Sequence, residues 1–332
     1  MPFIQSGHGS GGKLMNDMIN SVIRRILGED SIQQDDSAIL DLPQGKIAFT
    51  TDSFVITPVF FPGGDIGRLA VNGTVNDLAV MGAVPKYISC GLILEEGLDM
   101  DDLKQILTSM REAADFAGVK IVTGDTKVVP RGQADKIYIN TAGIGLFKNS
   151  PARAPIETGD KIIINGSIGD HGTAVMAARG SLSFSKGLAS DCAALNRLIL
   201  SVTENFPGSV KFMRDATRGG AASVLNEITE GKNFGAKLIE KDIPIKEEVA
   251  GFCGILGLDP LYAANEGKVI FIVKKENADK LLAVMRTDKH GKDAAIIGEI
   301  TAEFPGKVFI ETEIGGKRIL PLQIEEQLPR IC

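Results

Sequence analysis

The sequence predicts a two-domain protein of mixed α/β (α+β) type with a flexible C-terminal tail. Three observations carry this reading. The chain has 332 residues, more than one core usually organises. Short apolar runs alternate with amphipathic helical stretches in both halves. The proline-bearing stretch Asn149 to Gly159 has no apolar period and separates the halves. Domains are therefore expected at 1–150 and 151–318, with the tail at 319–332. A net charge of −6 with scattered acidic residues speaks against a nucleic-acid surface. No apolar run approaches the roughly 20 residues a bilayer span needs, and the N-terminus lacks a signal-peptide pattern. Four widely spaced cysteines form neither a zinc pattern nor a disulfide framework, so a cytoplasmic protein is expected.

In chain order, Ser6 to Lys13 is a glycine-rich loop opening a helix over Lys13–Ile26. It fits neither a dinucleotide fingerprint, since no strand precedes it, nor a Walker loop, since Leu14 stands where Ser or Thr must hold magnesium. It remains a loop whose N–H groups at Gly9, Gly11 and Gly12, with Lys13, suit phosphate. Lys46–Thr51 reads as a strand with Asp52 at its end, and Ile66–Met81 as a helix on which Ile66, Ala70, Gly73 and Asp77 share a face. The run Tyr87–Leu94 reads as a buried strand, and Asp101–Phe116 as a core helix capped by Asp99. Val119–Thr123 reads as a strand ending in Gly124-Asp125-Thr126-Lys127, followed by a strand at Ile137–Phe147. The second half reads as strand Lys161–Asn165, a glycine turn holding Asp170 and His171, and a helix from about Thr173. The turn Arg214 to Gly220, with Asp215 and Arg218, opens a helix at Ala221–Glu230; strands follow at Val269–Val273 and Ala294–Ile300.

Asp36, Asp52, Asp77 and Asp125 fall at element ends or on an inward face. Converging carboxylates suit Mg²⁺, which in turn would hold polyphosphate. Glu266, at the lip of the strand from Val269, is a candidate general base of the kind burial tunes upward. Cys90, Cys192 and Cys253 have packing accounts, Cys192 by helical spacing with Leu195 and Ile199. Cys332 has none: it is the last residue, on a polar arm over 323–332 that spans roughly 30 Å when extended. The arm is suited to carrying a group on its thiol into a site elsewhere on the chain.

Asp35-Asp36-Ser37-Ala38, Pro62-Gly63-Gly64-Asp65-Ile66-Gly67, Gly73-Thr74-Val75-Asn76-Asp77-Leu78-Ala79, Thr123-Gly124-Asp125-Thr126, Gly169-Asp170-His171-Gly172, Asn265-Glu266-Gly267-Lys268 and Pro329-Arg330-Ile331-Cys332 occur in this order over essentially the whole chain. The set resembles the HypE family of carbamoyl dehydratases, which act in nickel–iron hydrogenase maturation. The internal motifs alone point to the wider superfamily of aminoimidazole ribonucleotide synthetase and selenophosphate synthetase; the terminal Pro-Arg-Ile-Cys narrows it. One departure is Ala216, where the family's Asp-x-Thr-Arg turn carries proline.

The resemblance implies an aminoimidazole-ribonucleotide-synthetase-like fold and a homodimer paired through the N-terminal halves. It implies that a carbamoyltransferase, HypF, loads a carboxamide onto Cys332, that ATP drives its dehydration to a thiocyanate, and that the cyanide group passes to iron on a HypC–HypD complex. By the same resemblance Asp36, Asp52, Asp77 and Asp125 hold Mg²⁺, and Lys127 and Lys13 face phosphate. Glu266 is then the base, with Lys127 or His171 assisting, and nucleotide contacts fall to Gly9, Gly11, Gly12, Lys13, Asp52, Asn76, Thr123, Gly124, Asp170, Asp215 and Arg218. Two alternatives remain: a small-molecule kinase of the same superfamily, or a non-enzymatic thiol carrier or scaffold. A selenophosphate synthetase needs a reactive cysteine near its start, and residues 1 to 30 contain none.

Overall fold

The computed structural model describes residues 3–5, 8, 13–28, 45–148, 154–180, 187–322 and 331. Helix α1 (Lys13–Met18) runs through a π-helical stretch, Ile19–Arg24, into α2 (Arg25–Leu27). Strand β1 (Ile47–Phe54), the short hairpin β2 (Phe60–Phe61) and β3 (Gly64–Asp65), α3 (Ile66–Val80), β4 (Val84–Glu95), α4 (Met100–Ala117), β5 (Lys120–Val129) and β6 (Ile137–Leu146) complete the first half. The long strands form one sheet in the order β1-β6-β4-β5, with only β4 and β5 parallel.

The second half contains β7 (Lys161–Ile164), α5 (Asp170–Arg179), α6 (Asn196–Asn205), β8 (Val210–Asp215), α7 (Gly220–Thr229), β9 (Gly235–Ile239) and α8 (Glu247–Leu256). It continues with β10 (Val269–Val273), α9 (Ala278–Met285), β11 (Ala295–Thr301), β12 (Val308–Glu311) and β13 (Lys317–Ile319). Its sheet has seven strands in the order β13-β12-β9-β11-β7-β10-β8. Strands β7 and β10 are interior and face apolar side chains on both sides, so they read as unbroken apolar runs.

Helix α3 joins the two sheets. Asp65 caps it by accepting from the N–H groups of Gly67 (2.7 Å) and Arg68 (3.1 Å). Nearly every α3 residue is buried, as befits a helix packed on all sides. Its first part packs with α4 over the four-stranded sheet, while Ala79 and Val80 enter the core beneath the seven-stranded sheet. Gly67 permits this crowding, because a Cβ there would lie 2.4 Å from the Ile106 carbonyl oxygen.

Several expectations are corrected. β5 does not end at Thr123 but continues to Val129, so Gly124 to Lys127 lie in a strand rather than a turn. Asp52 lies within β1, opposite Thr141, rather than at its end. α5 begins at Asp170, because Gly169 adopts a left-handed conformation that turns the chain directly into the helix. Cys192 is buried but lies in an irregular segment before α6, not on a helix. No helix among the described residues is long and apolar enough to cross a membrane.

Candidate functional site

The junction between the sheets is built around the irregular segment from Ser190 to Leu195. Asn76 on α3 grips it at both ends of its amide: Nδ2 donates to the Ala193 carbonyl (3.0 Å) and Oδ1 accepts from the Leu195 N–H (2.8 Å). Those bonds give Asn76 a structural task and use one N–H and one lone pair of its amide. Asp191 holds the turn before β10, accepting from the N–H groups of Glu266 (3.0 Å) and Gly267 (3.2 Å) and from Lys268 Nζ (2.8 Å). Gly267 allows the close approach; a Cβ there would meet the Asp191 carbonyl oxygen at 2.0 Å. Asn265 ties this turn to two others, accepting from the Gly169 N–H (2.8 Å) and donating to the Ala216 carbonyl (3.1 Å).

Glu266 is thereby fixed by its backbone while its side chain, in a residue only 3% exposed, carries an Oε1 with no hydrogen-bond partner. Burial, then the carboxylates of Asp215, Asp191, Asp52 and Asp77, push its pKa well above the ordinary carboxyl value. Burial and Asp77 push Asp52 up to about 6, opposed by a hydrogen bond from Thr74 (3.1 Å) and by Arg218. Burial and Asp77 push Asp215 up to about 7. Asp77 itself accepts from the Thr50 hydroxyl (2.7 Å). Asp52, Asp77, Asp215, Arg218 and Glu266 thus sit within one electrostatic neighbourhood. Burial opposes the charge on Asp191 too, but Lys268 more than offsets it, and its pKa falls below the usual range.

Asp125 and Lys127 do not join this group. Strand alternation places Asp125 opposite Gly91 and Lys127 opposite Ile93, on the sheet face that α3 leaves open. Asp52 lies opposite Thr141 and faces α3. Asp125 instead pairs with Lys127 at 3.2 Å, both largely exposed. Thr123 and Gly124 line a cavity between β5 and the first helical stretch, with Ile23, Arg24 and Leu27. Among the described residues no three His, Cys, Asp or Glu side chains cluster closely enough to hold a metal by themselves. The expected Gly9, Gly11, Gly12, Asp36 and Cys332 lie outside the described residues, as does the side chain of Lys13.

Asp170, at the start of α5, is buried and salt-bridged through Oδ2 to Lys246 (2.8 Å), with Ser167 donating to the same oxygen (2.6 Å); its Oδ1 has no partner. Next to it, His171 is wholly buried, with Nδ1 2.8 Å from Ser190 Oγ and Nε2 2.5 Å from the Ile331 carbonyl oxygen. Ile331 is 4% exposed and belongs to the apolar cluster that includes Val175, Cys192 and Ala263. The penultimate residue of the chain is therefore seated in the junction. Ser190 and Asp191 escape sequence reasoning because their main partners, the His171 ring and the 266–268 turn, are remote in the chain, and the nearby apolar spacing imitates a helix. Their only sequence signal is a Ser-Asp pair in a polar break between helices.

Residues 34–147 match the family model of the N-terminal domain of AIR synthase related proteins, and residues 157–311 match that of the C-terminal domain. The chain is 46% identical to a protein named carbamoyl dehydratase HypE from Rhodobacter capsulatus, covering 98% of this chain and 97% of that one. It superposes with a TM-score of 0.91 on a crystal structure of the hydrogenase maturation protein HypE in complex with ATP, at 47% identity over 98% of this chain and 99% of that chain. A HypE chain crystallised in a HypE–HypF complex superposes with a TM-score of 0.81, at 43% identity over 94% of this chain and 100% of that chain.

Proposed function

The chain belongs to the HypE family of AIR synthase related proteins, and on that premise we propose that it is a carbamoyl dehydratase that uses ATP to convert a carboxamide on its own Cys332 thiol into a thiocyanate. The observation that carries this reading is the seating of Ile331, one residue before the terminal thiol, in the junction that holds the unpartnered Oε1 of Glu266.

A carboxamide oxygen leaves poorly until it is phosphorylated. Transfer of the γ-phosphoryl group of ATP to that oxygen, with departure of ADP and loss of one nitrogen proton, gives an imidate whose carbon is bonded to sulfur, to an N–H nitrogen and to the phosphorylated oxygen. Loss of inorganic phosphate and the second proton closes the carbon–nitrogen triple bond. Glu266 is the base in this account, strong because burial and four neighbouring carboxylates raise its proton affinity. Asp191 aims it through the backbone of Glu266 and Gly267. Arg218, beside Asp52, is the cation of the group that meets phosphate. Carboxylates that raise one another's pKa fit a site for Mg²⁺ bound through Asp52 or Asp77, with phosphate oxygens and water completing its shell. Bound there, Mg²⁺ would neutralise phosphate charge.

Lys127, Asp125 and the glycine-rich N-terminus come into play through a homodimer. The open sheet face carries exposed Ile47, Phe49 (68% exposed) and Ile93, an apolar surface suited to a second copy. In this account residues 1–150 bind ATP and dimerise, 151–318 supply Glu266 and His171, and 319–332 carry the thiol. The partners are a HypF-type carbamoyltransferase that loads Cys332 and a HypC–HypD-type complex that receives the cyanide group, in the cytoplasm. Intact-mass spectrometry of the chain with carbamoyltransferase, carbamoyl phosphate and ATP tests this. A carbamoyl adduct, absent in Cys332→Ala, should lose the mass of water only with ATP. ATP consumption without any adduct would move the chain to a small-molecule kinase, and an adduct that never dehydrates would make it a carrier.

A further inference from the structure

The buried His171 is where the C-terminal end of the chain meets both halves of the molecule, and its hydrogen bonds define its state. The Ile331 carbonyl can only accept, so Nε2 carries the proton that spans the 2.5 Å between them. In the neutral ring Nδ1 then accepts, and Ser190 Oγ, 2.8 Å away, must donate to it. The Ser190 hydroxyl is oriented for that task because its oxygen already accepts from the Cys192 N–H (3.1 Å). Ser190 is in turn fixed to the first half: its N–H donates to the Pro62 carbonyl (2.7 Å), and Gly63 leaves no room for a Cβ against the Ser190 backbone. The Phe61 ring packs against the imidazole in a T-shaped arrangement, 5.4 Å between ring centres. Every polar atom of the imidazole is thus committed, and none is left to exchange protons with a substrate.

We propose that His171, oriented by Ser190, is a positioning residue: a latch that holds the Ile331 carbonyl and so delivers the following residue to Glu266. This deepens the dehydratase reading and rests on it for the purpose of the latch, while the latch itself is testable without any chemistry. It replaces the sequence-based expectation that His171 assists proton removal. The chain Cys192 N–H to Ser190 to His171 to Ile331 also makes seating depend on the first half of the molecule, through Pro62 and Gly63.

The test uses the full-length chain and the rate at which its terminal thiol reacts with N-ethylmaleimide, read by intact mass. Cys90, Cys192 and Cys253 are free but buried, so early labelling reports Cys332. His171→Ala should label roughly three- to tenfold faster than wild type, the range expected for one lost hydrogen bond. His171→Gln, whose amide N–H can reach the same carbonyl, should label near the wild-type rate. Ser190→Ala should fall between them. On the carbamoylated chain, His171→Ala should lower the dehydration rate at saturating ATP with the KM for ATP unchanged, and His171→Gln should restore much of it. Equal labelling of wild type and His171→Ala would overturn the latch, as would a His171→Gln chain that behaves like His171→Ala. Should His171→Ala fail to fold, Ser190→Ala decides: faster labelling supports the latch and wild-type labelling overturns it. A wild-type chain that never dehydrates its adduct would sink the dehydratase reading and leave the labelling result standing.

Discussion

Replacing Glu266 by glutamine changes one atom in a side chain that makes no hydrogen bond through Oε1, and leaves the backbone contacts to Asp191 and Ala193 in place. Two opposite effects follow. As the base, Glu266 should contribute about 10²- to 10⁴-fold to dehydration, so Glu266→Gln should slow the ATP-dependent loss of water by that factor. Stability should move the other way. The raised pKa means that the folded chain binds a proton more tightly than the unfolded one, so the wild-type chain loses stability as pH rises above the unfolded carboxyl value of about 4.3. Glutamine does not titrate, and it also removes repulsion from Asp215, Asp191, Asp52 and Asp77. Glu266→Gln should therefore be more stable than wild type at pH 7.5, and the gain should vanish below about pH 4. Urea unfolding at a series of pH values and single-turnover mass spectrometry of the carbamoylated chain measure the two effects. A variant that dehydrates at the wild-type rate would refute the base assignment, and one that is less stable at pH 7.5 would refute the electrostatic account of the pocket.

Gly267→Ala places a Cβ against the Asp191 carbonyl, so it should cost about 1–3 kcal/mol in urea unfolding and slow dehydration at least roughly tenfold by turning Glu266 out of line. Lys268→Met strips Asp191 of its ammonium partner and should destabilise by about 3–5 kcal/mol near neutral pH. Because Lys268 holds the Asp191 pKa down, that deficit should shrink as pH falls below about 4 and the carboxylate takes up a proton, which a pH series of melting curves would reveal. Asp65→Ala removes the α3 cap and the partner of the Ser109 hydroxyl (2.5 Å), and should cost about 1–2 kcal/mol, with Asp65→Asn recovering part of it in the same unfolding assay.

The parts of the fold legible in the sequence are those specified by local pattern. The capped, periodic helices at Ile66–Val80 and Met100–Ala117 and the apolar run at Val269–Val273 fall within a residue or two of their expected bounds. Asp52 and Asp77 from the acids at element ends or on an inward face, Asp215 from the turn before α7 and Glu266 from the strand lip share one neighbourhood. Asp125 stands apart from them for a physical reason: the strand continues past Gly124, and period-two alternation turns Asp125 to the opposite face from Asp52. Asp191, Ser190 and the seat of Ile331 are not legible, because each depends on groups far away in the chain: the 266–268 turn, Pro62 and the His171 ring. Cys192 shows the same limit: it has helical spacing with Leu195 and Ile199, but α6 starts only at Asn196, and tertiary contacts hold Cys192 in the irregular segment before it.

The central claim is that phosphate leaves with the oxygen of the carboxamide carried on the terminal thiol. A chain loaded with heavy-isotope oxygen in its carboxamide, given ATP for one turnover, should yield inorganic phosphate carrying that oxygen, one per thiocyanate formed. Unlabelled phosphate, with the heavy oxygen appearing in water, would contradict it.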